Sequence, residues 1–71
     1  MNQHYYVNVL QSEKDNRLYT GFTSDITNRL KEHLAGRVIS TKHRLPLRLV
    51  YWEGCLHQSD ATQREKYLKT A

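Results

Sequence analysis

Two segments of this sequence place charged side chains where a helix is normally apolar. In the stretch ITNRLKEHL, Arg29 and His33 lie beside the predicted apolar stripe, and on a later helix Glu65 lies on the inward stripe. A guanidinium group suits phosphate oxygens, whereas an inward carboxylate requires a cationic partner, a metal ion or a wet cleft. Either a chemical site or a snorkelling Arg29, paired with Glu65 in a structural salt bridge, explains this placement, and both interpretations stay open here.

The positive charge of the chain is concentrated in one segment. The net charge is +4, and no acidic residue lies between Glu32 and Glu53. Such a segment suits a polyanion, although a solvated basic loop has the same composition. Besides His33, the basic residues of this segment are Arg37, Lys42, His43, Arg44 and Arg48.

Hydrophobic periodicity and turn residues predict three strands and two helices that position these side chains. The strands are predicted at residues 4–10, 18–22 and 47–52, and the helices at about 25–35 and 60–69. Asp15 and Asn16 favour a hairpin turn between the first two strands. Three helix ends have a predicted marker: Thr23 or Ser24 as the first N-cap, Gly36 as a left-handed stop, and Ser59 as the second N-cap.

The same patterns predict which side chains share a face. Alternation along the first strand places Tyr5, Val7 and Val9 on one face of the sheet, and Tyr6, Asn8 and Leu10 on the other. The core stripe of the first helix is expected to consist of Ile26, Leu30 and Leu34. On the third strand, Tyr51 and Trp52 are expected to pack in the core and at the sheet edge rather than to stack on bases.

The order β-β-α-β-α predicts an α+β fold with a three-stranded, mainly antiparallel sheet flanked by helices. A chain of 71 residues fits one domain, and we expect residues 1–71 to form it. A lone cysteine, Cys55, and the absence of an export signal or a long apolar run favour a cytoplasmic protein without a membrane span. Cys55, His57 and His43 are too irregularly spaced for a convincing zinc site.

Read together, these segments resemble the GIY-YIG endonuclease superfamily, and in particular its small stand-alone bacterial members. The resemblance covers about residues 4 to 70 and is carried by the stretches YYVNVL, LYTGFTSDITNRLKEHLAG, STKHRLP, LVYWEG and ATQREKYLK. It implies an antiparallel sheet with flanking helices, hydrolysis of DNA phosphodiester bonds, and one divalent ion, Mg²⁺ or Mn²⁺.

The resemblance also implies roles for individual residues. Tyr19 and Gly21 match the second half of the motif, Arg29 the catalytic arginine, His33 the helix histidine, and Glu65 the metal-binding glutamate. Gly21 is expected to let the DNA backbone approach closely. The basic residues expected to contact DNA are Arg37, Lys42, His43, Arg44 and Arg48.

The first half of the motif departs from the family pattern. Asn8 stands where the family has a tyrosine that receives the proton of the attacking water. An amide can orient water but cannot titrate near neutrality, and Tyr6, one pleat away on the same face, is an imperfect substitute. The chain also ends soon after Lys69, so a C-terminal segment found in similar proteins is expected to be missing.

The sequence thus predicts a metal-dependent DNA endonuclease of the GIY-YIG type. The alternative is a catalytically degenerate module that binds DNA or a protein, because Asn8 replaces the first tyrosine. The expected substrate is branched, nicked or non-specific duplex DNA, with a protein partner as a further source of specificity.

Overall fold

The computed structural model describes residues 3–70, which form a three-stranded antiparallel sheet and two α-helices. The elements are β1 (Tyr5–Ser12), β2 (Leu18–Thr23), α1 (Ile26–Leu34), β3 (Leu47–Cys55) and α2 (Gln58–Thr70), with a short 3-10 helix at Lys42–Arg44. The strand order is β2-β1-β3, so β1 is central and both other strands are edges. The predicted α+β architecture is therefore confirmed.

The hairpin between β1 and β2 forms at the predicted turn. Asn16 has a φ of 62°, and the Arg17 amide donates to Asp15 Oδ1 at 2.9 Å. Asparagine tolerates the left-handed region better than most residues, because its short polar side chain compensates locally. The turn fixes a register in which Asn8 lies opposite Gly21, and Leu10 opposite Tyr19.

Both faces of the central strand β1 are covered by other parts of the chain. Val7, on one face, pairs with Glu53, which binds Arg64 of α2, so α2 packs on this face. On the other face, Ser12 Oγ donates to the Arg44 carbonyl at 2.7 Å, which attaches the 37–46 loop. The buried apolar core lies on both sides of β1 and comprises Val7, Val9, Leu10, Leu47 and Ala61. We call these two sides the α2 face and the α1 face.

Helix α1 begins one residue later than predicted, and its cap is Asp25 rather than Thr23 or Ser24. Asp25 Oδ1 accepts a hydrogen bond from the Asn28 amide at 3.1 Å. The helix ends as expected before Gly36, whose φ of 75° is readily adopted only by glycine. The predicted core stripe is wrong at Leu34, which is 54% exposed; the buried residue of this helix is His33.

The last two elements also differ from their predicted limits. β3 continues past Trp52 to Cys55, because Glu53, Gly54 and Cys55 pair with the start of β1. Helix α2 begins at Gln58, which places Ser59 inside its first turn rather than at the cap. The prediction that Tyr51 and Trp52 pack in the core and at the edge is wrong for the core, since both rings are exposed. No helix within residues 3–70 is long and apolar enough to cross a membrane.

Candidate functional site

A pocket of about 910 Å³ lies along the outer strand β2. Its lining includes four side chains that the sequence singles out, Tyr19 from β2, Arg29 and His33 from α1, and Glu65 from α2. Three separate elements therefore bring these residues to one opening. The remaining lining residues are Asn8, Val9, Leu18, Thr20, Gly21, Phe22, Ser40, Thr41, Leu68 and Lys69.

The floor of the pocket on the α1 face is formed by paired residues of β1 and β2. Asn8 is opposite Gly21, and directly opposed residues of antiparallel strands project to the same face. Asn8 Oδ1 lies 3.9 Å from the position that a Cβ atom at Gly21 would occupy. A methyl group there would make ordinary contact, so Gly21 leaves the surface above Asn8 open rather than relieving a clash.

Asn8 is 3% exposed and lines the pocket. The side chain forms no hydrogen bond with any of residues 3–70, yet none of its polar atoms is both fully buried and unpaired. An amide that is buried without a partner would be costly. The Asn8 amide contacts the open space of the pocket, which explains why an amide without a protein partner is tolerated at this position. There it can donate a hydrogen bond to water or substrate, or accept one from them.

His33 is the most buried functional side chain of α1. It is 7% exposed, and Nδ1 lies 2.8 Å from Thr41 Oγ1 in the following loop. Burial lowers the pKa of His33 and the positive charge of Arg29 lowers it further, while Glu32 acts in the opposite direction. The imidazole is therefore neutral near pH 7, and Nε2 is left as its second nitrogen.

Glu65 approaches the pocket from the other side of the sheet, because α2 packs on the α2 face. Its side chain is 20% exposed, and Oε2 lies 3.4 Å from Lys69 Nζ, one helical turn later. In the part of the chain that the structure describes, Arg29 forms no ion pair. The predicted structural salt bridge between Arg29 and Glu65 is therefore wrong. Both charged side chains line the pocket without pairing with each other.

Tyr6 lies outside this group. Its ring centroid is 6.0 Å from that of Trp52 and 6.3 Å from that of His4, and it does not line the pocket. The structure therefore does not bring Tyr6 to Tyr19 and Glu65 as a replacement for the missing tyrosine.

The basic residues of the 37–48 segment lie outside the pocket and fall into two groups. Arg44 Nε lies 3.5 Å from Asp15 Oδ2, and Arg48 Nη2 donates to Gln11 Oε1 at 3.1 Å. These two arginines attach the segment to the β1–β2 hairpin. Three basic side chains remain exposed to solvent, Arg37, Lys42 and His43.

The donor atoms of the pocket fit a hydrated hard cation. Glu65 is the one carboxylate among the lining residues, and no group of three or more His, Cys, Asp or Glu residues within 3–70 is arranged to hold a metal. Mg²⁺ keeps several water ligands and is often bound by one or two carboxylates together with substrate phosphate. Zinc requires three or four protein ligands, so the arrangement does not fit zinc.

Sequence reasoning missed the two polar residues that contact His33 and Glu65. Thr41, which is buried against His33, lies in a loop without periodicity, so no sequence signal could have assigned it. Lys69 lies four residues after Glu65 on the same helix, and this spacing is a recognised signal for an ion pair.

Comparison with known proteins identifies the family to which this chain is similar. The family model of the GIY-YIG catalytic domain matches residues 4–71. A UPF0213 protein of Haloquadratum walsbyi is 38% identical over 71 residues, which cover 99% of this chain and 79% of that protein. A UPF0213 protein of Staphylococcus haemolyticus is 42% identical over 67 residues, covering 93% of this chain and 80% of that protein.

A solved structure has the same fold. The solution NMR structure of a UPF0213 protein from Bacillus halodurans superposes with a TM-score of 0.61 and is 32% identical. The match covers 96% of this chain and 72% of that chain. The strand order and the two helices described above are thus a known arrangement.

Proposed function

Since the chain belongs to the GIY-YIG catalytic domain family, we propose that it is a metal-dependent endonuclease that hydrolyses phosphodiester bonds in DNA. Family membership supports a nuclease-type function with DNA as the substrate, and nucleases of this family generally depend on a divalent metal. One observation carries the proposal further: Tyr19, Arg29, His33 and Glu65, from three elements, line one pocket.

Arg29 is proposed to bind the scissile phosphate. Its guanidinium group lines the pocket without an ion-pair partner within residues 3–70, so it is available to a substrate anion. Guanidinium stays charged at every relevant pH and offers paired donors that match phosphate oxygens. Such fixed charge stabilises a transition state in which negative charge accumulates on those oxygens.

Tyr19 is proposed to orient the attacking water through its phenolic oxygen, with His33 as its neighbour. A neutral imidazole, anchored by Thr41 at Nδ1, can accept or donate a hydrogen bond at Nε2. Asn8 can hold a second hydrogen bond to water, but it cannot take up the proton of the water. Proton transfer therefore depends on Tyr19 and His33.

Glu65 is proposed to hold the divalent ion, Mg²⁺ or Mn²⁺. When bound, the ion supplies positive charge to the phosphate and to the leaving oxygen. Lys69 Nζ lies 3.4 Å from the same carboxylate, and since the Lys69 side chain is 55% exposed, an i,i+4 pair of this kind contributes at most about 1 kcal/mol. The ion pair is therefore too weak to prevent Glu65 from binding a cation.

The substitution at Asn8 favours a second candidate function. With Asn8 in the pocket and Tyr6 outside it, the pocket lacks the second phenol that the resemblance to the family implies. A chain that binds DNA or a protein but does not cleave DNA would have this arrangement. For both candidate functions, we propose that residues 1–71 act as a single domain in the cytoplasm. The preference for a substrate then comes from the shape of the DNA or from a protein partner.

A cleavage assay separates the two candidates. We expect the wild type to cut branched, nicked or duplex DNA in Mg²⁺ or Mn²⁺, and Glu65→Gln and Arg29→Ala to lower the rate by about 100-fold or more. Glu13→Gln and Arg17→Ala, which change exposed residues outside the pocket, are the matched controls and should leave the rate unchanged. A wild type as inactive as Glu65→Gln, with activity gained by Asn8→Tyr, contradicts the endonuclease and supports the binding module.

A further inference from the structure

The α1 face of the sheet carries a row of aromatic rings that the pocket does not include. The ring centroids of His4 and Tyr6 are 6.3 Å apart, and those of Tyr6 and Trp52 are 6.0 Å apart. Trp52 is 55% exposed, although burial of an indole is strongly favourable. We call His4, Tyr6 and Trp52 the aromatic row.

The position of the aromatic row relative to the pocket follows from the strand register. Trp52 on β3 is opposite Asn8 on β1, which in turn is opposite Gly21 on β2. Neighbouring strands lie about 4.8 Å apart, so Trp52 is about 10 Å from Gly21 across the sheet. The row therefore continues the floor of the pocket away from β2 on the same face.

Gly54 of β3 lies against the Tyr6 ring of the row. Tyr6 is opposite Gly54, and a Cβ atom at Gly54 would lie 3.5 Å from Tyr6 Cε1. A methyl group at Gly54 would make only ordinary contact with the Tyr6 ring, which lies near the Trp52 ring of the same strand β3. The two rings are inclined by 57°, which is a favourable geometry for an aromatic pair and leaves the Trp52 ring partly uncovered.

The charge of this surface suits a nucleic acid. Every strand residue on the α1 face is uncharged, whereas the carboxylate of β3, Glu53, lies on the α2 face and binds Arg64. The loop that covers the other end of the α1 face belongs to the segment without acidic residues, and it exposes Lys42. A polyanion crossing from this loop to the aromatic row meets no negative side chain of the sheet.

We propose that the aromatic row stacks on unpaired bases of the DNA substrate, so that the strand to be cut is single-stranded beside the pocket. Bases in a duplex are already stacked on each other, and only unpaired bases present a free face to an aromatic ring. The position of the cut rests on the proposed function, whereas the stacking itself does not. The inference narrows the substrate to single strands, flaps or gapped DNA.

The intrinsic fluorescence of the protein tests this inference directly, because Trp52 is the one tryptophan of the chain. With divalent metal removed by a chelator to prevent cleavage, wild-type protein is titrated with a single-stranded oligothymidine and with a duplex of equal length. We expect the single strand to quench Trp52 at concentrations at least about ten-fold lower than the duplex, because stacking on the indole occurs with unpaired bases. Equal quenching by both DNAs overturns the inference, and so does an unchanged signal, which is the result for a row that binds a protein.

A matched pair of variants distinguishes stacking from general charge attraction. Trp52→Ala should weaken binding of a fluorescently labelled single strand by about 5-fold to 100-fold, and Trp52→Phe should retain most of the affinity. Tyr51→Ala removes a neighbouring exposed ring on the opposite face and should change the affinity less than about two-fold. Equal losses in Trp52→Ala and Tyr51→Ala contradict stacking at the row.

The two proposals can fail separately. Normal quenching of Trp52 without any cleavage overturns the endonuclease and leaves the stacking intact. Cleavage of duplex DNA at equal rates by the wild type and Trp52→Ala, with no preference for single strands, overturns the stacking and leaves the endonuclease intact.

Discussion

At the scale of single residues, the site depends on polar groups whose ionisation is set by their surroundings. His33 is buried against Thr41 beside the charge of Arg29, so the pKa of the imidazole lies below its ordinary value. The proposed role of His33 as a neutral hydrogen-bonding group follows from this environment. Arg29 thus has two effects, since it is proposed to bind phosphate and it also suppresses protonation of its neighbour.

This lowered pKa predicts a dependence of stability on pH. Since the unfolded chain binds a proton at His33 more readily than the folded protein, the free energy of unfolding should decrease as the pH falls through about 6.5. His33→Gln should flatten this decrease, measured by urea denaturation at a series of pH values. His43→Gln, at an exposed position, is the control and should keep the wild-type slope. An identical slope in wild type and His33→Gln would show that His33 titrates alike in both states.

At the scale of secondary structure, the elements of this chain were predictable wherever local signals decide. The alternation along β1, the turn at Asn16 and the stop at Gly36 are local properties of backbone and side chain, and the structure confirms all three. The end of β3 was not predictable, because Gly54 is a poor strand residue whose place depends on pairing with Tyr6.

Local sequence signals were also insufficient to predict which face of α1 is buried and which is exposed. Leu34 belongs to the apolar stripe, yet it is exposed, because helical periodicity does not specify where the covering loop lies. His33 takes the inward position because Thr41, remote from the helix in sequence, provides a partner for its nitrogen. For the site itself, the joint assignment of Tyr19, Arg29 and Glu65 came from resemblance to a family, since spacing alone left structural alternatives open.

The N-terminus of α1 gives a prediction that belongs to this scale. Asp25→Ala should lower the free energy of unfolding by about 0.5–2 kcal/mol, because the Asn28 amide loses its acceptor and the helix loses a negative charge at its positive end. Ser24→Ala should cost less than about 0.5 kcal/mol, since Ser24 is exposed and not the cap. Chemical denaturation of both variants measures the difference. A larger cost for Ser24→Ala would assign the cap to Ser24 instead.

At the scale of the whole molecule, the two helices lie on opposite faces of a small sheet, and each contributes side chains to the pocket along β2. Arg29 reaches the pocket from the α1 face and Glu65 from the α2 face, so the proposed phosphate and metal sites adjoin the edge strand. The basic side chains of the 37–48 segment do not line the pocket, although Ser40 and Thr41 of the same segment do. The molecule therefore has a positively charged surface next to a pocket that contains one carboxylate.

This charge distribution predicts how binding responds to salt. Lys42 is exposed and forms no ion pair within residues 3–70, so Lys42→Ala should reduce the slope of log K against log salt concentration by about one. Arg44→Ala should change the slope less, because Arg44 is paired with Asp15. Fluorescence anisotropy with labelled DNA at several salt concentrations gives both slopes. Equal slopes for Lys42→Ala and the wild type would place the DNA elsewhere.

Glu65 is proposed to hold a divalent cation in the pocket that Tyr19 and Gly21 also line. Titration of isotopically labelled protein with Mn²⁺, followed by amide NMR spectra, tests it because the paramagnetic ion broadens the signals of nearby nuclei. We predict selective broadening at Tyr19, Gly21 and Glu65, absent in Glu65→Gln and retained in Glu13→Gln. Broadening centred on Asp60 or Glu53, or unaffected by Glu65→Gln, would contradict the account.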